Sequence, residues 1–165
     1  MASQFRRNYP LMICPALLII IADQISKFAV MRCLKLHESV PVISGFFDLV
    51  HVRNKGMAFG FLNRPDINFG FYMLVAASIG AIVLLTVWFI NLKKSDNFTV
   101  LTLSLILGGA AGNLIDRLRF REVVDFIDIY VGQYHWPAFN VADSAITVGA
   151  LLLAFTMFFR QKSLG

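Results

Sequence analysis

Four runs of about 20 mostly apolar residues dominate this chain, at 11–30, 69–90, 98–115 and 141–159. At about 1.5 Å per residue, each is long enough to cross a hydrocarbon layer about 30 Å thick. Backbone N–H and C=O groups in lipid have no water to bond, so continuous runs of this kind must be helical. Composition agrees. Of 165 residues, 58% are hydrophobic and 15% charged, with a mean hydropathy of +0.69. A soluble domain runs at about 45–50% apolar and about 25% charged. The balance excludes a disordered chain and argues against an ordinary soluble enzyme. Four spans use about half the chain, which leaves room for loops and one small extramembrane motif. The fold class read from this is an all-α polytopic membrane protein with four transmembrane helices.

The net charge is +5 and the sequence pI near 9.5. The basic residues stand in twos and threes at the edges of the apolar runs. That placement suits phospholipid headgroups and gives no stripe for nucleic acid. Cys14 and Cys33 are 19 residues apart on one run. On a helix that is roughly 28 Å, against a limit of ~7 Å between disulfide Cα atoms. Two thiols do not make a metal site either. The first run, entered after Arg6 and Arg7, reads as a span. A cleaved signal would need a small residue where Ile13 stands, or an A-x-A site.

With four spans both termini share a side. The six basic residues of the tails and the 91–97 loop (Arg6, Arg7, Lys93, Lys94, Arg160 and Lys162) lie flush with helix ends in short segments. The 31–67 and 116–137 segments carry eight, so counts favour neither side; density in short segments, where the positive-inside rule applies best, places the termini in the cytoplasm. The other two connections face outward. In 40–62, Val40 to Ile43, Phe46 to Val52 and Met57 to Phe61 are β-rich runs separated by turn signals at Ser44-Gly45 and Asn54-Lys55-Gly56. They predict a small extracytoplasmic antiparallel β-cradle on the membrane surface. Tyr130, Tyr134 and Trp136 read as a headgroup-level aromatic belt.

Polar groups at membrane depth are expensive, so each needs a reason. They are Asp23, Gln24, Ser26 and Lys27 late in the first span; Asn113, Asp116 and Arg117 ending the third; Asp125 after it; and Asn140 and Asp143 opening the fourth. In the chosen orientation all fall at outward helix ends. Several have plain structural readings. Asp23 and Lys27 are spaced i,i+4 for an ion pair. Gly108 and Gly112 form a G-x-x-x-G packing motif. Asn113, Asp116 and Arg117 share a helix face and could make an Asp–Arg scaffold. Asn140 suits an N-cap, with Asp143 three residues on as in a capping box. Asp125 has no basic neighbour in its apolar stretch. If it meets Asp143, the pair shares a proton near neutral pH, and one member can activate water while the other donates. The positive N-terminus of the fourth helix favours ionised Asp143 and so the proton on Asp125, although the titration belongs to the pair and the sequence leaves its holder open.

No competing catalytic set is present. H-E-x-x-H, G-x-S-x-G, Walker and Rossmann motifs are all missing. Ser26 and Lys27 point about 100° apart on a helix, a poor nucleophile–base pair. His37, His51 and His135 are dispersed and loop-placed. A transporter would put its ionisable residues near the midplane and often show a repeat. A non-catalytic assembly subunit would leave Asp125 unexplained.

Five blocks carry a resemblance: Asp23-Gln24-Ile25-Ser26-Lys27, the stretch from Arg53 through Asn54 and Gly56 to Phe59, Gly108 to Arg117, Val123 to Phe126, and Phe139 to Ser144. In this order they resemble the motifs of the lipoprotein signal peptidase (signal peptidase II) family of bacteria. Met57 stands where that family usually has a small residue. The resemblance implies a single integral membrane peptidase domain over 1–165, working as an aspartic endopeptidase without metal or cofactor. It implies a cytoplasmic (inner) membrane location, with the active site at the extracytoplasmic face. The implied substrate is diacylglyceryl-modified prolipoprotein, cut before the lipidated cysteine. Membrane lipid is the other expected partner, with no nucleic acid, and a monomer is expected. Asp125 and Asp143 then correspond to the catalytic dyad. Asp23, Lys27, Asn54, Gly56, Asn113, Asp116, Arg117 and Asn140 correspond to residues that hold substrate or shape the site.

Overall fold

A computed structural model describes residues 8–56, 69–92 and 96–162, with side chains to residue 159. Four long helices form as the apolar runs require: α1 (Tyr9–Cys33), α2 (Phe69–Asn91), α3 (Asn97–Phe120) and α4 (Val141–Lys162). All four are long and apolar enough to cross a membrane. Lipid-type packing explains their surfaces, since Leu18, Leu84 and Leu151 are each about two-thirds exposed or more. Soluble proteins rarely expose so much large apolar side chain together. Arg6, Arg7, Lys93, Lys94 and the expected strand at Met57 to Phe61 lie outside the described residues.

Helix α3 is the centre. It packs on α1, α2 and α4, and its glycines set how closely. A Cβ on Gly108 would fall 2.7 Å from the Ala16 carbonyl oxygen of α1, and one on Gly109 would collide with the Ala142 carbonyl of α4. Leu103 and Val100 of α3 make the core with Met12 and Phe89. Asp96 caps the helix by accepting the Thr99 N–H at 3.2 Å.

The β-cradle differs from its expected extent. It is a four-stranded antiparallel sheet in the order β1 (Ser39–Ile43), β2 (Phe47–Asn54), β3 (Val123–Val131), β4 (Tyr134–His135). Half of it comes from the connection between α3 and α4, which the sequence suggested only as an aromatic belt. The alternation in Val123-Val124-Asp125-Phe126-Ile127-Asp128 is broken by acids three apart, which hides the strand from a period-two reading. Tyr134 and Trp136 are exposed as a belt requires. Tyr130 instead donates its hydroxyl to Asp48 across the sheet at 3.0 Å. β2 and β3 pair with Asn54 opposite Val123 and Val52 opposite Asp125. The sheet sits on the end of the bundle formed by the C-termini of α1 and α3 and the N-terminus of α4, with Phe126 packed on Val30 and Leu34.

Candidate active site

The polar residues singled out in the sequence meet at that end of the bundle. Asp125 lies on β3 and is 2% exposed. Its Oδ1 accepts the Asn140 amide at 2.7 Å and its Oδ2 accepts the Asn54 amide at 2.9 Å. Asp143, in the first turn of α4, accepts the Asn113 amide on Oδ1 at 2.7 Å. Its Oδ2 has no hydrogen-bond partner among the described residues. Asn140 joins the two acids. Besides reaching Asp125, its Oδ1 accepts the Asp143 N–H at 2.9 Å and caps α4. The expected cap therefore forms, but Asp143 turns its carboxylate to Asn113 instead of back to the cap residue.

The Asp23–Lys27 pair closes at 2.8 Å, and both residues are fully buried. It belongs to a larger network. Lys27 also meets Asp116 at 3.0 Å and donates to Asn113 Oδ1 at 3.0 Å. The Asp116–Arg117 scaffold suggested by their shared helix face does not form. Asp116 turns to α1, and Arg117 reaches the hydroxyl of Ser78 on α2 at 3.3 Å. Gly112 also departs from a pure packing role, because the space where its Cβ would stand is 2.7 Å from Asp23 Oδ2. Two participants were not among the expected site residues. Gln24 donates to Asp116 Oδ1 at 2.9 Å and to Asp23 Oδ2 at 3.2 Å. Its position beside Asp23 at membrane depth was the available signal. Ser78 gave none, being a lone hydroxyl in an apolar run.

Asn54 is set by the turn that follows it. Its Oδ1 accepts the Gly56 N–H at 2.7 Å, while Gly56 holds φ of +89°. A Cβ at Gly56 would collide with Leu74 of α2. Left-handed backbone and a neighbouring side chain both favour glycine here.

Burial pushes the Asp125 carboxyl up to about 6, against the opposing pull of the Asn54 amide, with the nearby charge of Asp143 adding to the rise. Two cavities flank the acids. One of about 700 Å³ reaches Asp125 and is lined by Arg53, Lys55, His37 and Glu122 together with apolar Leu36, Val52 and Pro137. The other, of about 430 Å³, reaches Asp143 between Trp136, Phe139, Thr147 and Val148. Two acids joined through one amide, each reached by a cavity, can hold one proton between them and do acid–base work on a bound carbonyl.

The remaining candidates stay apart. Ser26 donates to its own helix at the Asp23 carbonyl. His51 and His135 lie on strands rather than loops: His51 Nδ1 bonds the Leu34 carbonyl, and His135 pairs with Asp128 at 2.8 Å. Cys14 and Cys33 are free and exposed. Among the described residues no three His, Cys, Asp or Glu side chains gather as metal ligands would.

Residues 15–159 match the family described as Signal peptidase (SPase) II. The chain belongs to the signal peptidase II family. Similar members include the lipoprotein signal peptidase of Syntrophotalea carbinolica, 50% identical over 155 residues, covering 92% of each chain. That of Syntrophus aciditrophicus is 46% identical over 145 residues, covering 88% of this chain and 90% of the other. Two solved structures, both described as a bacterial membrane enzyme obtained by the in meso method, share the fold. One superposes with a TM-score of 0.85 at 30% identity, covering 95% of this chain and 93% of the other. The second gives 0.82 at 32% identity, covering 92% and 94%. Four helices under a small antiparallel sheet are thus a signal peptidase II fold, as the motif blocks implied.

Proposed function

We propose that this signal peptidase II family member removes the signal peptide from diacylglyceryl-modified prolipoproteins, cutting before the lipidated cysteine. The observation that carries the reading is that Asn140 joins Asp125 of β3 and Asp143 of α4 in one polar cluster, with a cavity reaching each acid. Asp143, favoured as carboxylate at a helix N-terminus, takes a proton from water. Asp125, carrying the shared proton, donates to the scissile carbonyl. As the hydrated intermediate collapses, Asp125 takes back a hydroxyl proton, the C–N bond breaks, and the amine leaves with the proton held by Asp143. Asn54, Asn113 and Asn140 orient the acids. Arg117, within electrostatic range of Asp125 and Asp143, steadies the peptide. Asp23, Lys27, Gly56 and Asp116 shape the site. No metal or cofactor takes part.

The scissile bond sits beside a cysteine whose acyl chains stay in hydrocarbon, so it must be cut at headgroup depth. A dyad formed by Asp143 at the start of α4 and Asp125 on the strand laid over the helix ends is at that depth. The reading places the enzyme in the bacterial inner membrane as a monomeric single domain over 1–165. Its termini are in the cytoplasm and its dyad is at the extracytoplasmic face. Purified protein should convert a lipidated prolipoprotein to its mature size on a gel. Asp125→Asn and Asp143→Asn should each lose at least about 10²-fold in turnover while remaining folded. Retention of about a tenth of the wild-type rate, a loss short of the general acid–base range, would remove that aspartate from the mechanism.

A further inference from the structure

We propose that Lys27 is a positioning residue that sets the spacing of Asp125 and Asp143 through Asp23 and Asp116. The inference rests on the peptidase reading above and deepens it.

An ammonium has three N–H donors. Lys27, 1% exposed, places all three: on Asp23 Oδ2 at 2.8 Å, on Asp116 Oδ2 at 3.0 Å and on Asn113 Oδ1 at 3.0 Å. Each acceptor passes the constraint on. Asp23 Oδ1 takes the backbone N–H of Ala142 at 3.0 Å, and Ala142 immediately precedes Asp143. Asp116 Oδ2 takes the backbone N–H of Val124 at 3.1 Å, and Val124 immediately precedes Asp125. Asn113 donates to the Asp143 carboxylate itself at 2.7 Å. One nitrogen on α1 therefore ties down the main chain beside both acids.

A pairing made for stability alone needs one carboxylate for one ammonium. Here one ammonium takes two carboxylates, with the Arg117 guanidinium also within electrostatic range of Asp116. The second acid is accounted for when each carboxylate has its own backbone segment to hold. Gly112 fits the same purpose, since the missing side chain leaves room for the Asp23 carboxylate. Misplacing reacting groups by about 1 Å costs on the order of 10²-fold in rate, so the effect of this clamp should appear in the chemical step.

Lys27→Met keeps the stem and removes the donors. Turnover of lipidated prolipoprotein in micelles should fall about 10²-fold in kcat, with KM within about threefold of wild type. A kcat within about threefold of wild type, or a loss confined to KM, overturns the inference. Asp125→Asn, assayed in parallel, separates the two readings. If it is inactive while Lys27→Met turns over normally, the positioning role alone falls. If it is fully active, the peptidase reading falls and the positioning role with it. Should Lys27→Met fail to fold, Gly112→Ala decides, because it presses a methyl on Asp23 without removing a charge. It should lower kcat about tenfold at unchanged KM, and an unchanged kcat overturns the inference.

Discussion

The Asn140 side chain donates to Asp125 Oδ1 at 2.7 Å while its own oxygen caps the helix that carries Asp143. One amide thus sets the start of α4 and one face of a carboxylate on another element. Serine at 140 keeps the cap and is too short to reach Asp125. Alanine loses both. Asn140→Ser and Asn140→Ala should therefore lose similar, large amounts of kcat. Only the alanine should carry a further destabilisation of about 1 kcal/mol from the lost cap. Thermal melting beside turnover checks this. A serine variant with wild-type kcat would confine Asn140 to capping.

Asp125, raised to about 6 by burial, makes pH a sharp test of which acid holds the proton. The donor is lost as pH rises through that value. The profile of kcat/KM, which reports the free enzyme, should descend around pH 6. The descent in kcat should lie higher, because bound substrate covers the cleft and removes water from the carboxyl. A kcat/KM that instead rises through pH 6 to a plateau would make ionised Asp125 the base.

The same shift has a stability consequence. The folded-state value lies above the usual carboxylate value of 3.8. The contribution of Asp125 to stability is therefore full below about pH 4 and is lost as pH rises through about 6. Relative to wild type, Asp125→Asn should gain melting temperature steadily between those limits and no more above them. A difference that stays flat with pH would mean the carboxyl titrates alike in both states.

Gly56 carries a prediction of its own. Alanine there must adopt φ near +89° and meets Leu74. The strain, of order 1–3 kcal/mol, should be relieved by letting the turn open, which frees the Asn54 amide from its orientation on Asp125. Gly56→Ala should lose turnover about tenfold or more, within the range that orienting a catalytic group can supply. Adding Leu74→Ala should restore part of it by making room. Full activity in the single variant would separate the turn from the dyad.

Unlipidated prolipoprotein should be a poor substrate although its peptide is identical. Most of the energy of the acyl chains is already realised in the bilayer, so they act by fixing depth and orientation at the dyad. Cleavage rates for the two forms in the same micelles measure this. Equal rates would mean that the lipid is not read.

The helices were legible because lipid leaves a backbone no other choice, and their ends fell within a few residues of the apolar runs. The α3 end moved furthest, to Phe120, because Asp116 and Arg117 are charged yet still inside the helix. That the polar residues gather at one face was also legible. Their pairing was not, since i,i+4 spacing reports only neighbours on one helix. It found Asp23 with Lys27 and missed Asp116, which crosses from α3 to meet Lys27. β3 stayed hidden because its partner β2 lies about 70 residues earlier, and because its buried acid breaks the pattern that marks a strand.

The pairing of β2 with β3, and of both with the start of α4, bears on when during synthesis the chain gains its activity. Asn54 leaves the ribosome long before Asp125, and the cap residue Asn140 and Asp143 follow later still. Until the fourth helix enters the bilayer, Asp125 lacks Asn140, and the Ala142 N–H is not there for Asp23. A nascent chain with three helices inserted thus holds one acid of the pair and none of its α4 supports. On the proposed mechanism, proteolytic competence waits for α4, which brings Asn140 and Asp143 to Asp125.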